Sequence, residues 1–353
     1  MSAAPEKMSV SEAGRLISES SRIVLCTHAV PDGDGLGAET ALYHYLVRLG
    51  KEVRIINPDQ MPARYRFLDP AGTLEVAGHL RSPFNGADLA IVVDTGDYRR
   101  LGPLWQLFKA SCGTVVFLDH HPRLPDESPP SPADGEGADV YDVIDERSSS
   151  IGELLYRLFH VAHDVLDPKN PSFRLSPEIA LGLYVSIITD TNSFRYSKTT
   201  ALSHRIAADL IDYGLQPELI YQNIYSTKSV DHLRLIGTAL SGVSQSEDGL
   251  VAWVEIPREV RQKHRATGDD TQNIVNFMLL LQNPEVLVML REEDDGRIKA
   301  SIKSKGQIIV NRIAAEFGGG GHDFASGFTA TGTMADVRTK LLGRLREEMR
   351  ARR

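Results

Sequence analysis

The run His28-Ala29-Val30-Pro31-Asp32-Gly33-Asp34-Gly35-Leu36-Gly37 follows four apolar residues, Ile23-Val24-Leu25-Cys26. It precedes residues 38–49, where Ala41, Leu42, Tyr45, Leu46 and Leu49 recur at helical spacing. The run therefore reads as a tight, glycine-rich turn between a buried strand and a helix, carrying one imidazole and two carboxylates. Open α/β sheets take their ligands at the carboxyl ends of their strands. The turn is expected to hold a metal ion, with further ligands supplied later in the chain.

Working outward, strand-like segments at 23–27, 53–57, 89–94 and 115–119 alternate with helix-like segments at 11–18, 38–49, 104–111 and 151–162. Ser150 and Glu153 form a capping box that would start the last of these. Nearly continuous apolar strands alternating with helices indicate a parallel sheet covered on both faces. Residues 122–139 are rich in Pro, Ser, Gly, Asp and Glu and read as an insertion loop. Helical segments at 177–188 and 201–213 follow, the second stopped by Gly214. Beyond it come a strand at 250–256 and a helix at 271–281. A hairpin pairs 285–291 with 297–303 across Asp294-Asp295-Gly296, and a helix at 310–317, a strand at 325–331 and a basic terminal helix complete the chain. The expected architecture is α/β: a parallel-sheet domain over 1–213, a linker at 214–230 and a smaller α/β domain over 231–353, with a cleft between the domains.

At 353 residues the chain is long enough for two such cores. A net charge of −8 excludes a broad cationic surface for long duplex DNA or acidic membrane. A local basic groove for a short anionic substrate remains compatible with it. Two cysteines, Cys26 and Cys112, give no disulfide framework. No apolar run approaches the ~18 residues of a membrane span, and a cytoplasmic protein is expected. The composition accommodates a homodimer.

Chemistry-bearing residues recur where the turn leads one to look for them. Asp94 closes Leu89–Val93, Asp119-His120-His121 closes Val115–Leu118, and Asp190 closes the apolar segment Leu181–Thr189, counted with the strand ends. Asp32, Asp34, Asp94 and Asp190 bring four negative charges; His28 and His120 bind as neutral imidazoles. Crowded carboxylates raise one another's pKa unless cations intervene, and two divalent ions would neutralise this set. Mixed imidazole and carboxylate ligation favours manganese over magnesium. Paired metals about 3.5–4 Å apart suit in-line displacement at phosphorus. Competing motifs fail. An EF-hand opening at Asp32 has Leu36 and Tyr43 where acidic ligands belong. There is no P-loop, and Gly33, Gly35 and Gly37 miss the dinucleotide spacing.

Taken together, these blocks resemble the DHH phosphoesterase family. His28-x-x-x-Asp32-x-Asp34 is similar to its first motif, Val93-Asp94 to its second, Asp119-His120-His121 to its third and Asp190 to its fourth. The resemblance implies His28 and Asp32 on one metal, Asp34, His120 and Asp190 on the other, and Asp94 bridging them. It implies His121 near the scissile phosphate, with Asp119 holding an imidazole in its tautomer. Gly318-Gly319-Gly320-Gly321-His322, with Ala325-Ser326-Gly327-Phe328, resembles the DHH-associated C-terminal domain. There Gly320, Gly321 and His322 would meet a phosphate or nucleotide. The combination is most similar to the oligoribonuclease and pAp-phosphatase branch (nanoRNases). That branch hydrolyses very short RNAs to mononucleotides and dephosphorylates 3′-phosphoadenosine 5′-phosphate (pAp). Expected substrates are thus short RNA oligonucleotides, dinucleotides and pAp, with cyclic-dinucleotide hydrolysis or a catalytically dead nucleotide-binding module as the rivals. Arg195 and Lys303 are the candidate phosphate contacts; Lys303 stands where the resemblance leads one to expect Arg, which weakens bidentate recognition.

Overall fold

The computed structural model describes residues 6–82, 84–122, 137–161, 163–166, 174–266, 269–271 and 274–351. The chain divides into two compact units, Met1–Thr227 and Lys228–Arg353. Most of the insertion expected at 122–139 lies outside the described residues.

The first unit has strands β1 (Glu6–Lys7), β2 (Arg22–Cys26), β3 (Glu52–Asn57), β4 (Leu74–Val76), β5 (Ala87–Val93), β6 (Cys112–Asp119) and β7 (Asp139–Ile144). Its helices are α1 (Val10–Glu19), α2 (Gly33–Arg48), α3 (Pro103–Ser111), α4 (Ile151–Val161), α5 (His163–Leu166), α6 (Pro177–Asp190), α7 (Ala201–Ile211) and α8 (Pro217–Tyr225). Among the described residues the strands pair in the order β1-β7-β6-β5-β2-β3-β4, and every neighbouring pair is parallel. Alternate strand residues serve two cores. Ile23, Leu25, Leu89, Ile91, Val116 and Leu118 pack with residues of α1, α2, α4 and α6. Val24, Cys26, Ala90, Val92, Val115 and Phe117 pack with Leu104, Trp105 and Phe108 of α3. Burial on both faces is why these strands read as unbroken apolar runs. From β2 the chain builds outward through β3 and β4, then returns to the other flank of β2 with β5. The order therefore reverses between β2 and β5, the kind of place where open α/β sheets bind ligands.

The glycines of the opening run do not form a turn. Gly33, Gly35 and Gly37 all lie within α2, which begins five residues earlier than its apolar periodicity implies. Each is required by a close approach. A methyl on Gly33 would sit 2.4 Å from Thr189 Cγ2, and one on Gly35 2.1 Å from Thr27 Oγ1. At Gly37 it would lie 2.5 Å from the Gly182 carbonyl of α6, and at Gly182 2.5 Å from the Gly37 carbonyl. Gly152 of α4 closes on Ser186 Oγ at 2.5 Å in the same way. Three helices thus meet at backbone contact.

Two other expectations need correction. The stretch expected as a linker contains α8: Pro217 stands at its start, and Ile220 and Ile224 enter the first unit's core. Proline's fixed φ suits a first helical turn, so the glycine stop is followed by a new helix and not by a bare connection. At α4 the capping box is half made. Glu153 N donates to Ser150 Oγ at 3.1 Å, but the Glu153 carboxylate accepts from Ser149 and Ser203 instead.

The second unit comprises α9 (Val230–Ser241), β8 (Ser244–Gln245), β9 (Val251–Ile256), α10 (Arg258–Lys263), α11 (Ile274–Met278), β10 (Val286–Glu292), β11 (Ile298–Ser304), α12 (Val310–Glu316), β12 (Gly320–His322), β13 (Ala325–Ala330) and α13 (Met334–Ala351). Its sheet order is β12-β13-β11-β10-β9-β8, antiparallel except for β9 with β10. The expected hairpin is β10–β11, paired from Val286↔Ser304 to Glu292↔Ile298. Two glycines of the Gly318–Gly321 run answer to packing: a methyl on Gly319 would meet Gly327 O at 2.1 Å, and one on Gly321 would meet Ala325 O at 2.6 Å.

If the three-helix contact is as tight as this, Gly182→Ala lowers stability by about 1–3 kcal/mol, the usual cost of overpacking. Gly343→Ala, in α13 with nothing within 4 Å of the added methyl, is neutral or stabilises by up to about 1 kcal/mol. Urea denaturation of both variants measures the contrast, and an equal effect at the two sites would contradict it.

Candidate metal centre

The carboxyl edge of the central strands β6, β5 and β2 carries the candidate ligands. His28 follows β2, Asp94 follows β5, and Asp119 ends β6 with His120 and His121 after it. Asp190 does not end a strand: it is the last residue of α6. It reaches the same place because α6 packs against α2 along the Gly37–Gly182 contact, with Ser186 and Asp190 four and eight residues beyond Gly182 on one helix face.

Asp32 caps α2, its Oδ1 accepting from the N–H groups of Asp34 (3.0 Å) and Gly35 (3.4 Å). Asp34 lies two residues on, and residues so spaced do not share a helix face. It is buried at 2% exposure, whereas Asp32 is exposed. Asp34 Oδ1 accepts from the Ser186 hydroxyl, and Ile151 N, at the start of α4, stands 3.1 and 3.2 Å from its two oxygens. Donor atoms accordingly gather in overlapping groups: His28 with Asp32 and Asp94; Asp34 with His120 and Asp190; and Asp94 with Asp119, His120 and His121. Within each group the atoms lie within 4.8 Å of one another. Asp94 is common ground, its Oδ2 3.3 Å from His28 Nε2 and its Oδ1 3.8 Å from His120 Nε2. Its backbone is left-handed, with φ 63°, held by a bond from Asp94 N to Leu118 O (3.0 Å). Non-glycine residues in that region at a functional cluster hold strain that the surrounding structure imposes.

The second partners of the histidines orient them. His120 Nδ1 is 3.2 Å from Ser148 O, so it donates there and leaves Nε2 as the nitrogen facing inward. That Nε2 is buried and makes no hydrogen bond, although Asp34 Oδ2 is 3.3 Å and Asp190 Oδ2 3.6 Å away. His28 Nδ1 is 2.8 Å from Ala29 O, and Arg100 Nη2 lies 2.8 Å from the same nitrogen. One nitrogen cannot both donate to Ala29 and accept from Arg100. Were His28 to bind a cation through Nε2, it would keep the Ala29 bond and give up the Arg100 contact. Asp119 Oδ1 accepts from His121 Nδ1 (2.9 Å) and from the N–H groups of His120 and His121. It thus holds His121, half-exposed at the mouth, and not His120.

Electrostatics state the same need. Burial, then the charges of Asp34, Asp32 and Asp119, push Asp94 well above the usual carboxylate range. Burial and Asp34 raise Asp190 to about 7. Burial opposes charge on His120, but Asp34 and Asp190 outweigh it and raise the imidazole to about 9. Burial works to raise Asp119 as well, yet the His121 bonds hold it below its ordinary value. Raised carboxylates around an unsatisfied imidazole nitrogen are the chemistry of a donor set that divalent cations complete.

The other sequence candidates are placed differently. Arg195 is fastened to its own loop, Nε to Asn192 O (2.9 Å) and Nη2 to Asn192 Oδ1 (3.0 Å). Lys303 lies on β11 opposite Ala325, which in turn faces His322 across β13 and β12, so the three stand in one cross-strand row. Burial lowers the Lys303 pKa. Gly320 pairs with Gly327, and the His322 side chain lies outside the described residues. Residues that sequence reasoning missed are Ser186, Ser148, Arg100 and Lys198, whose Nζ donates to His120 O (3.0 Å). Of these only Ser186 left a signal, the four-residue spacing of Gly182, Ser186 and Asp190.

Comparison with known proteins adds the kinship. The model of the DHH family N-terminal domain matches residues 22–218, and that of the DHHA1 domain residues 248–351. The chain is 27% identical, over 93% of its length and 90% of the relative's, to the bifunctional oligoribonuclease and PAP phosphatase NrnA of Thermus thermophilus. The crystal structure of an exopolyphosphatase-related protein from Bacteroides fragilis matches with a TM-score of 0.81 at 27% identity, covering 95% of this chain and 94% of that one. A crystal structure of exonuclease RecJ bound to manganese matches in fold, with a TM-score of 0.52 at 15% identity, covering 99% and 96%. The motif residues gathered at one sheet edge and the family match over more than half of the length agree: the chain belongs to the DHH family.

Proposed function

We propose that this protein is a two-metal phosphoesterase that hydrolyses short oligoribonucleotides to mononucleotides and removes phosphate from pAp. The observation that carries this reading is the pair of donor groups, His28–Asp32–Asp94 and Asp34–His120–Asp190, with Asp94 in reach of both histidines. The relationship to an oligoribonuclease and PAP phosphatase supports the substrate class. His28 and Asp32 would hold one divalent ion and Asp34, His120 and Asp190 the other, with Asp94 shared; manganese is favoured over magnesium because two ligands are imidazoles. Bound there, paired divalent ions supply Lewis acidity for attack of water on phosphorus and for departure of the leaving oxygen.

The chain's own groups do the rest. His121, with Nδ1 engaged by Asp119, presents Nε2 to donate a hydrogen bond or a proton to the departing oxygen. A water oxygen bonds to phosphorus and gives up a proton to solvent, the P–O bond to the leaving ribose oxygen breaks, and that oxygen takes the proton from His121. Asp119 keeps the ring in that orientation. In the second unit, Gly320, Gly321, His322 and Lys303 are assigned to contact with a phosphate or nucleotide. Lys303 and His322 flank the small Ala325 in one row, and the space beside Gly320 is open, with Asn311 Oδ1 its nearest neighbour at 4.0 Å. Arg195 is assigned as a phosphate contact through the part of its guanidinium not tied to Asn192. No helix among the described residues is long and apolar enough to cross a membrane. The free, buried Cys26 and Cys112 accord with a cytoplasmic setting.

Manganese-loaded protein is expected to cleave RNA of two to five nucleotides at rates that fall with length, and to dephosphorylate pAp. Asp94→Asn should cut kcat by more than about 100-fold, beyond what loss of an outer partner of a metal ligand costs. A panel of RNA lengths, pAp and a cyclic dinucleotide on one preparation decides the matter. Normal binding without hydrolysis would identify a binding module instead.

Proton linkage gives a second test. In the folded, cation-free protein Asp190 keeps its proton up to about pH 7 and His120 up to about pH 9. Unfolded, the same groups release theirs near about 3.9 and about 6.5. The folded state binds more protons across that window, so cation-free stability falls as pH rises from about 4 towards 9. Cations replace those protons, and Mn²⁺ should therefore raise the Tm more at pH 8 than at pH 6 in scanning calorimetry. Equal shifts at both would contradict the raised proton affinities of His120 and Asp190.

A further inference from the structure

We propose that Tyr196 is the platform on which a nucleobase of the substrate stacks, which makes it a specificity-determining residue. The proposal rests on the nucleotide-hydrolase reading and names the residue that would distinguish nucleotides from other phosphate esters.

The segment after α6 is built to hold one shape. Asn192, Ser193 and Phe194 are successive non-glycine residues with φ of 48°, 57° and 63°, a conformation L side chains disfavour. Thr191 anchors it: its carbonyl accepts from Arg195 N (2.9 Å) and Tyr196 N (3.0 Å), and its hydroxyl accepts from Phe194 N (3.1 Å). The Phe194 ring stacks on His204, with centroids 4.7 Å apart. Tyr196 is fixed on both sides, since its carbonyl accepts from Thr199 N at 3.0 Å. Lys198 then ties the far end to His120 O. Side-chain bonds, a ring stack and an unusual backbone all converge on where residues 196–198 sit.

They sit at the metal centre. A cavity of about 310 Å³ is lined by His120, His121, Asp190, Tyr196, Ser197 and Lys198. Tyr196 is 56% exposed, and among the described residues its ring meets no other aromatic ring and its hydroxyl makes no hydrogen bond. An aromatic ring in that state does little for stability. The cavity offers a cation at Lys198, a hydrogen-bond donor at His121 and a bare π face at Tyr196. A phosphate with a planar heterocycle beside it is the ligand that uses all three. Base–aromatic stacking is sequence-tolerant, because every base has a π face, and with the backbone already fixed only the two χ angles of the side chain remain to be ordered on binding.

The test compares wild type, Tyr196→Ala and Tyr196→Phe on pApA and on a dinucleotide whose bases are replaced by hydrogen. Stacking predicts a KM for pApA raised about tenfold by alanine, kcat held within about twofold, no alanine effect on the base-free substrate, and recovery by phenylalanine. An unchanged KM, or an equal loss on both substrates, overturns it. Calorimetric titration of the same proteins with AMP keeps the two levels apart. Should wild type hydrolyse nothing, the hydrolase reading fails, while weaker AMP binding by Tyr196→Ala alone would still support the platform and equal binding would refute it.

Discussion

Backbone contact between α2, α4 and α6 is the constraint on which the centre depends. At Gly37, Gly182 and Gly152 there is no room for a single methyl group. That closeness lets the Ser186 hydroxyl and the first amide of α4 reach Asp34. Ser186 also accepts from Gly152 N at 2.6 Å, so one hydroxyl joins all three helices. A buried carboxylate needs such donors, because burial without them disfavours its charged form. Asp190 depends on the same contact, since only the seating of α6 on α2 brings it near His120. Packing and electrostatics are therefore one problem here: widen the helix contact and the cluster of donor atoms comes apart.

Much of this was legible from residue order. Strands buried on both faces leave unbroken apolar runs, and polar residues at the ends of two of them, Asp94 and Asp119-His120, mark one sheet edge. Asp190 was harder. Helix α6 is buried on nearly every side, from Ile179 and Ala180 through Leu183, Val185 and Ile187, so the 3.6-residue rhythm that betrays an amphipathic helix is absent over Leu181–Thr189. An apolar run of that kind cannot be told from a buried strand by periodicity. Glycines misled for a related reason. In Gly33-x-Gly35-x-Gly37 they suggest a turn, yet each answers to a neighbour distant in sequence: Thr189, Thr27 and Gly182.

What the order of residues could not carry is the outer layer of contacts. Ser148 on His120, Arg100 on His28 and Lys198 on the His120 carbonyl join positions 28, 72 and 78 residues apart. None has a fixed spacing to a candidate ligand, so no local pattern announces it. Arg195 shows the converse. It stands in a recognisable motif, but a neighbouring asparagine engages two of its nitrogens, and motif membership alone does not report that.

The left-handed backbone at Asp94 has one more consequence. A carboxylate aimed by rotamer choice alone would sample several directions and be collected by whatever binds it. Here the peptide's own geometry, fixed by the bond to Leu118, selects the direction in which the side chain leaves the sheet. The backbone of the most shared donor in the centre is preorganised by the pairing of β5 with β6, and burial of its side chain, at 2% exposure, limits the freedom left to lose when a ligand arrives.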